Sequence, residues 1–194
     1  DFAFELPEMF LRLVSLPVLL FIFFFQAPSD LFRKHYDAAN AARRAGNFAK
    51  AEAEFNIILS EAYHRLGKVY LAQSNYPASV AALESATSVQ PDAGADALTD
   101  LSIAYFYVGK YSEGIRPLQR AIGSNPQNAK AHHMLGKTYF MLGEFDNARR
   151  ELEATLKLTP ADYDAEYTLG LCFLKQKDLP KAKQLYEGMA KRLG

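Results

Sequence analysis

Apolar residues return along the chain at a fixed interval of 34 or 35 residues. In one series, each leucine is followed by a small residue and, four positions on, by an aromatic residue; the leucines are Leu66, Leu101, Leu135 and Leu169. Two further series keep the same interval: Tyr76, Tyr111, Phe145 and Leu179, and the prolines Pro91, Pro126 and Pro160. Three columns that share one period indicate an array of structural repeats.

One period, residues 129–162, has the pattern of two amphipathic helices. Apolar and small residues recur in it at spacings of three and four, as they do on a helical face. The two stripes are His132, Leu135, Gly136 and Tyr139, and Phe145, Ala148, Leu152 and Thr155. Gly143 lies between them and is expected to end the first helix, because glycine adopts a left-handed cap with least strain. Pro160 prevents further helix. The pattern therefore predicts an all-α chain of helix-turn-helix hairpins.

This combination of Leu-Gly-x-x-Tyr, Gly-x-Phe, alanine, leucine and proline columns resembles the tetratricopeptide repeat (TPR) family. The resemblance covers residues 32–194. It implies a right-handed α-solenoid over residues 30–194, preceded by an N-terminal hydrophobic helix in residues 1–29. The repeats are placed at 32–60, 61–94, 95–128, 129–162 and 163–194. The resemblance also implies a non-catalytic protein whose first helices line a concave face that holds peptides or partner helices.

The first junction between repeats departs from the period. Phe48 and Tyr76 are 28 residues apart, which is six fewer than the period, and no glycine or proline occurs between Phe48 and Leu66. The stripes on the two sides match separate helices, one ending at Ile58 and the other beginning at Tyr63. We therefore predict that about six residues are missing near Ser60–Glu61, and an uninterrupted backbone there would contradict this.

Residues 1–29 differ from the rest of the chain in composition. Seven of the 14 phenylalanines lie in the first 25 residues, and residues 13–25 are interrupted only by Ser15 and Pro17. As a helix, residues 6–27 would be about 33 Å long, which is enough to cross a hydrocarbon core of about 30 Å. We predict that residues 9–27 anchor the protein in a membrane. The central apolar residues are Leu13, Leu16, Leu19, Leu20, Phe21, Phe23, Phe24 and Phe25.

The same segment also fits a secretory signal peptide, because Ala27 and Ser29 form a small-x-small cleavage pattern. Cleavage after Ser29 would release a soluble periplasmic adaptor or assembly chaperone. A helix buried in a soluble core is the third alternative, and the absence of a polar face from Leu19 to Phe25 disfavours it. A signal-like segment places the repeats outside the cytoplasm, in the periplasm, whereas Arg33 and Lys34 favour the opposite orientation.

Composition and motifs exclude several classes of function. The chain has 22 basic and 22 acidic residues, so it lacks the positive charge of a general nucleic-acid binder. No histidine has a metal-ligating residue four positions later, and no nucleophile, phosphate-binding or dinucleotide motif occurs. Cys172, the one cysteine, is expected to be a small buried hydrophobe. We therefore predict no catalytic residue, no cofactor and no metal site.

The remaining candidate for function is the face of the first helices. Its residues follow the apolar stripe positions: Tyr36, Asn40, Arg43, His64, Lys68, Phe106, His133, Lys137, Phe140 and Tyr167. The face begins basic and polar and becomes aromatic, so an acidic segment or a C-terminal carboxylate with apolar anchors would suit it. The alternative is an ordinary solvated helix face. Asn40, Arg65 and Lys68 resemble the family's carboxylate clamp, but Thr99, Asp100 and Ile103 interrupt it.

These observations predict a scaffold protein or an accessory subunit of a membrane complex. The anchor would raise the local concentration of the repeats at the membrane. The repeats would then bind other proteins through the concave face.

Overall fold

The computed structural model describes residues 30–91 and 93–193, and they form nine helices and no strand. The helices are α1 (Asp30–Arg44), α2 (Phe48–Ala72), α3 (Tyr76–Val89), α4 (Ala95–Tyr107), α5 (Tyr111–Ser124), α6 (Ala129–Met141), α7 (Phe145–Leu158), α8 (Tyr163–Lys175) and α9 (Leu179–Leu193). The all-α prediction is confirmed. The hydrophobic helix and the membrane residues predicted in 1–29 lie outside the described residues. Among the helices described, none has both the length and the apolar content that a bilayer crossing requires.

The described residues divide into two compact units, one ending at Ile58 and the other beginning at Leu59. In the first unit, α1 and the beginning of α2 form a hairpin whose turn contains Gly46 at a φ of 72°. Small side chains fill the contact between these helices, since Ala39, Ala42 and Ala51 are all buried. This hairpin therefore has little apolar volume in its interior.

The second unit contains the end of α2 and the helices α3 to α9. Turns of three residues join α4 to α5, α6 to α7 and α8 to α9. In the turn after α6, Gly143 has a φ of 78°, and the amide of Glu144 donates to the carbonyl of Tyr139 at 2.9 Å. This is the hydrogen bond of a Schellman cap. The prediction that Gly143 ends a first helix is confirmed.

Within each hairpin the two helices approach closely at small residues. A Cβ atom added to Gly136 would lie 2.7 Å from Cγ of Leu152 on α7, which is closer than real Cβ contacts. Gly136 is on a first helix, whereas in the hairpin of α4 and α5 the close approach is at Gly114 on the second helix. There Ser102 Oγ donates to the carbonyl of Gly114 at 3.0 Å. The packing purpose predicted for the small residues is therefore confirmed.

Leucines of the second helices form the centre of the core. Leu83, Leu118 and Leu152 are fully buried. Each packs against the first helix of the following hairpin; for example, Leu118 and Ala121 lie in one cluster with Ala131 and Leu135. First helices also contact the next first helix, α4 with α6 and α6 with α8. This stacking brings side chains of successive first helices onto a common face.

The first repeat junction differs from the prediction. Helix α2 runs from Phe48 to Ala72 and passes Ser60 and Glu61 without interruption. The prediction of two helices ending at Ile58 and beginning at Tyr63, with residues missing between them, is wrong. Because this stretch contains no glycine or proline, no residue in it ends the helix.

Candidate protein-binding face

A buried carboxylate joins three successive first helices of the second unit. Asp100, on α4, is almost fully buried. His64 of α2 donates to its Oδ2 through Nε2 at 3.0 Å, and Lys130 of α6 donates to its Oδ1 at 2.8 Å. One acidic side chain therefore makes hydrogen bonds to the helix on each side.

A second set of contacts continues across the next helices. Lys137 Nζ on α6 lies 2.7 Å from Asp164 Oδ2 on α8 and 5.9 Å from the centroid of the Phe106 ring on α4. His133 Nδ1 lies 3.0 Å from Asp162 Oδ2. We call the surface formed by the side chains linked between first helices the ladder face. It consists of His64, Asp100, Phe106, Lys130, His133, Lys137 and Asp164.

One polar atom of the ladder face has no hydrogen-bond partner among the described residues. His133 Nε2 is buried and forms no hydrogen bond there, although Asp164 Oδ2 lies 3.3 Å away. The imidazole is held on its other side by Asp162. The nitrogen is therefore enclosed by the repeats themselves and is not open to a partner.

The two carboxylates of the ladder face remain charged at neutral pH. Burial raises the pKa of Asp100, but hydrogen bonds from His64 and Lys130 outweigh this effect and hold its pKa below the usual value. Burial also raises the pKa of Asp164, and the hydrogen bond from Lys137 again outweighs it and lowers that pKa. The lysine ammonium groups thus face ionised partners.

The structure brings together four of the residues predicted for the groove. His64, Phe106, His133 and Lys137 lie on the ladder face, but Lys137 is paired with Asp164 and is not a free cation. The expectation of a basic groove for an acidic segment is therefore not favoured by this geometry.

The other predicted residues have different surroundings. In the second unit, the ring of Phe140 lies 5.7 Å from that of Phe145, and Lys68 and Tyr167 are exposed. Three more belong to the first unit: Tyr36, Asn40 and Arg43. The ring of Tyr36 stacks on Phe32, and Asn40 donates to the carbonyl of Tyr36.

Three residues of the ladder face were not among the predicted site residues: Asp100, Lys130 and Asp164. His64 and Asp100 are 36 residues apart, and Lys137 and Asp164 are 27 apart. Opposite charges on consecutive first helices, at separations of 27 to 36 residues, are the signal that could have identified them. Asp100 was instead interpreted as interrupting a carboxylate clamp.

Two residues considered for chemistry are structural in this fold. His132 Nδ1 lies 2.8 Å from Glu151 Oε2 on α7, so it holds a hairpin together. Cys172 is fully buried, and burial raises the pKa of its thiol to about 11. In the part of the chain that the structure describes, no group of three His, Cys, Asp or Glu side chains could hold a metal ion.

The family follows from comparison with known sequences. Models described as "Tetratricopeptide repeat" match residues 60–93, 105–160 and 133–193, which together make up more than half of the chain. The chain belongs to the tetratricopeptide repeat family. A comparison with curated protein sequences gives no match.

Solved structures with the same fold include several repeat proteins. A crystal structure of MamA protein has a TM-score of 0.64 and 24% identity, covering 82% of this chain and 90% of the other. MamA from Desulfovibrio magneticus RS-1 has a TM-score of 0.65 and 15% identity, with coverages of 85% and 96%. YrrB, described as "a TPR protein with an unusual peptide-binding site", has a TM-score of 0.62 and 19% identity, covering 87% of this chain and 88% of the other. At these identities the likeness concerns the fold alone.

Proposed function

We propose that the chain is a non-catalytic scaffold that binds a segment of another protein on the ladder face. The observation that carries this proposal is the set of contacts from Phe106 through Lys137 to Asp164 across three first helices. These contacts hold aromatic and polar groups in fixed positions on one surface. Because these side chains are already ordered, they lose less conformational entropy when a partner binds. YrrB, which has the same fold, is described as having a peptide-binding site, and this supports the proposal.

The chemistry of the face favours a partner with apolar side chains. Lys130 and Lys137 are neutralised by Asp100 and Asp164, so an acidic ligand would have to compete with existing ion pairs. The first helices also end in exposed large apolar side chains. These are Tyr107 on α4, Met141 on α6 and Leu174 on α8. Aromatic and methionine side chains are enriched at the centres of protein interfaces.

Selection from a library of random linear peptides tests this function with the full chain in a mild detergent. We expect the selected peptides to contain aromatic or aliphatic side chains. We also expect Phe106→Ala to weaken their binding by about tenfold or more, since central aromatic contacts often contribute about 2 kcal/mol. Fluorescence anisotropy with a labelled peptide measures this change.

Two variants serve as controls. Leu179→Ala removes an exposed leucine from a second helix and should leave the affinity unchanged. Phe106→Leu keeps apolar volume at the ladder face and should retain part of the affinity. Circular dichroism checks that each variant is folded. If Phe106→Ala and Leu179→Ala bind the selected peptides equally well, the ladder face is not the binding surface.

We further propose that residues 9–27 anchor this scaffold in a membrane, with the repeats on the extracytoplasmic side as part of a larger membrane complex. The support is the apolar run of residues 13–25, whose length suits a bilayer. We expect the full chain to stay in the membrane pellet after alkaline carbonate extraction. Replacing Leu20 and Phe23 by arginine should release it, because charge near a bilayer centre opposes insertion. A soluble mature chain that begins near Asp30 would instead favour the secreted adaptor or chaperone.

A further inference from the structure

An apolar stripe on α2 lies exposed in the second unit. Its residues are Ala62, Leu66 and Val69, which follow one another at spacings of four and three and so share one side of the helix. Leu66 is 41% exposed and Val69 is 51% exposed. Ala62 is exposed as well.

The corresponding residues of all later repeats are buried. The equivalent positions in the three later repeats, taken in order, are Ala97, Leu101 and Ala104; Ala131, Leu135 and Thr138; and Ala165, Leu169 and Cys172. In each case, the second helix of the preceding hairpin covers them. Leu83 lies in one core cluster with Leu101 and Ala104, and Leu152 lies in one with Leu169 and Cys172. The exposed stripe therefore has the composition and spacing that fit a second helix of a TPR hairpin.

No turn precedes this stripe. Four residues, 125–128, separate α5 from α6, and four residues, 159–162, separate α7 from α8. At the corresponding place, α2 continues through Ser60, whose Oγ donates to the carbonyl of Ala86 at 2.9 Å. The residues before the stripe belong to the same helix as the stripe, and a segment cannot lie alongside the helix of which it is a part.

The chain nevertheless carries a segment with the pattern of the missing helix. In residues 48–59, Phe48 corresponds to Tyr76, Ala51 to Ser79, and Phe55 to Leu83. Leu83 is fully buried, whereas Phe55 is 38% exposed and Leu59 is 43% exposed. Each chain thus has both halves of one repeat junction, and each half exposes apolar side chains that such a junction would bury.

We propose that two copies of the chain exchange these halves, so that residues 48–59 of each copy cover the stripe of the other. This is a reciprocal, two-fold symmetric interface, and a shortened connection between two packing elements is a common cause of such exchange. The six-residue deficit in the period is then the feature that makes the protein a dimer. The proposal does not depend on the ligand of the ladder face.

Disulfide trapping between two differently tagged full-length chains tests the exchange. One chain carries Phe55→Cys and the other carries Leu66→Cys, so a disulfide that joins the two tags can form only between copies. After co-expression and mild oxidation, we expect a dimer that carries both tags on a non-reducing gel. A matched pair, Phe55→Cys with Leu179→Cys, should give no such dimer. Absence of the first dimer, or equal yields from both pairs, would overturn the proposal.

Restoring the missing turn provides the second test. The sequence of residues 123–128, Gly-Ser-Asn-Pro-Gln-Asn, is inserted between Leu59 and Ser60, which returns this junction to the period of 34 residues. Sedimentation equilibrium in density-matched detergent should give twice the chain mass of 21.7 kDa for the natural chain and a monomer for the insertion variant. A natural chain that sediments as a monomer contradicts the exchange, as does an insertion variant that remains a dimer.

Discussion

Replacement of Leu152 by alanine should lower the free energy of unfolding by about 2–5 kcal/mol, which is the range for a fully buried leucine. Leu152 has no solvent exposure, and it lies in one core cluster with Ala148 and Leu169. Its side chain occupies the space above Gly136, which has no side chain of its own that could fill the cavity. The site can therefore collapse only a little. Chemical denaturation followed by circular dichroism measures the loss.

The matched control for this prediction is Leu179→Ala. Leu179 is also a leucine on a second helix, but it is 63% exposed. Its truncation should change the stability by no more than about 0.5 kcal/mol. Because repeat arrays can unfold in steps, the two variants should be compared on the transition that reports α6 to α9. A similar loss in both variants would mean that Leu152 is not a central packing residue.

Replacement of Gly136 by alanine should also destabilise the protein, by about 1–3 kcal/mol, because the core has no room for another methyl group. The added Cβ would lie 2.7 Å from Leu152 Cγ and 3.3 Å from the backbone carbonyl of Ala148. The leucine side chain can move, but the backbone of α7 can do so only by separating the two helices. Thermal or chemical denaturation measures this effect.

Gly123→Ala is the opposite case on the same chain. Gly123 lies in α5, and a Cβ added there would meet no atom within 4 Å. Alanine should stabilise this position by up to about 1 kcal/mol through its higher helix propensity. Effects of the same sign at Gly123 and Gly136 would contradict the explanation by close helix approach. A double variant, Gly136→Ala with Leu152→Ala, should cost less than the sum of the single variants, because the smaller side chain leaves room for the methyl group.

The hairpins could be predicted because their signals are local and repeat along the sequence. Gly143 and Pro160 mark the ends of helices by their own backbone properties, whatever surrounds them. The small residues Gly136 and Ala148 indicate close packing by their position within the period. The structure reproduces these features wherever the period is regular.

The first junction could not be predicted in this way because two local signals disagree there. The apolar stripes of residues 48–58 and 63–70 favour two helices, whereas the absence of glycine and proline favours one. In the structure the backbone preference prevails, and α2 is continuous. Where the repeat period and the helix signals conflict, the exposure of apolar side chains in the structure shows which packing surfaces are left uncovered, and the sequence pattern alone does not.

The ladder face could be predicted only in part for a different reason. His64, His133 and Lys137 follow from their positions on the first helices. Their partners Asp100 and Asp164 lie on the next first helix, so their pairing depends on how successive hairpins stack. The sequence identifies the positions on each helix but does not state which positions face each other. The predicted surface began basic and polar and became aromatic, and the prediction did not include the pairing of Lys130 with Asp100 and of Lys137 with Asp164.

The contacts of the ladder face also determine how the array responds to ionic strength. In a repeat protein, the free energy of unfolding is the sum of the stabilities of the single repeats and of the interaction energies between neighbouring repeats. These ion pairs contribute to the interaction energies between neighbours. The Lys137 pair is open to counterions because Asp164 is mostly exposed, whereas the buried Asp100 is shielded from them. Added salt should therefore weaken the coupling of the last hairpin first. The cooperativity of unfolding thus depends on salt most strongly at the C-terminal end.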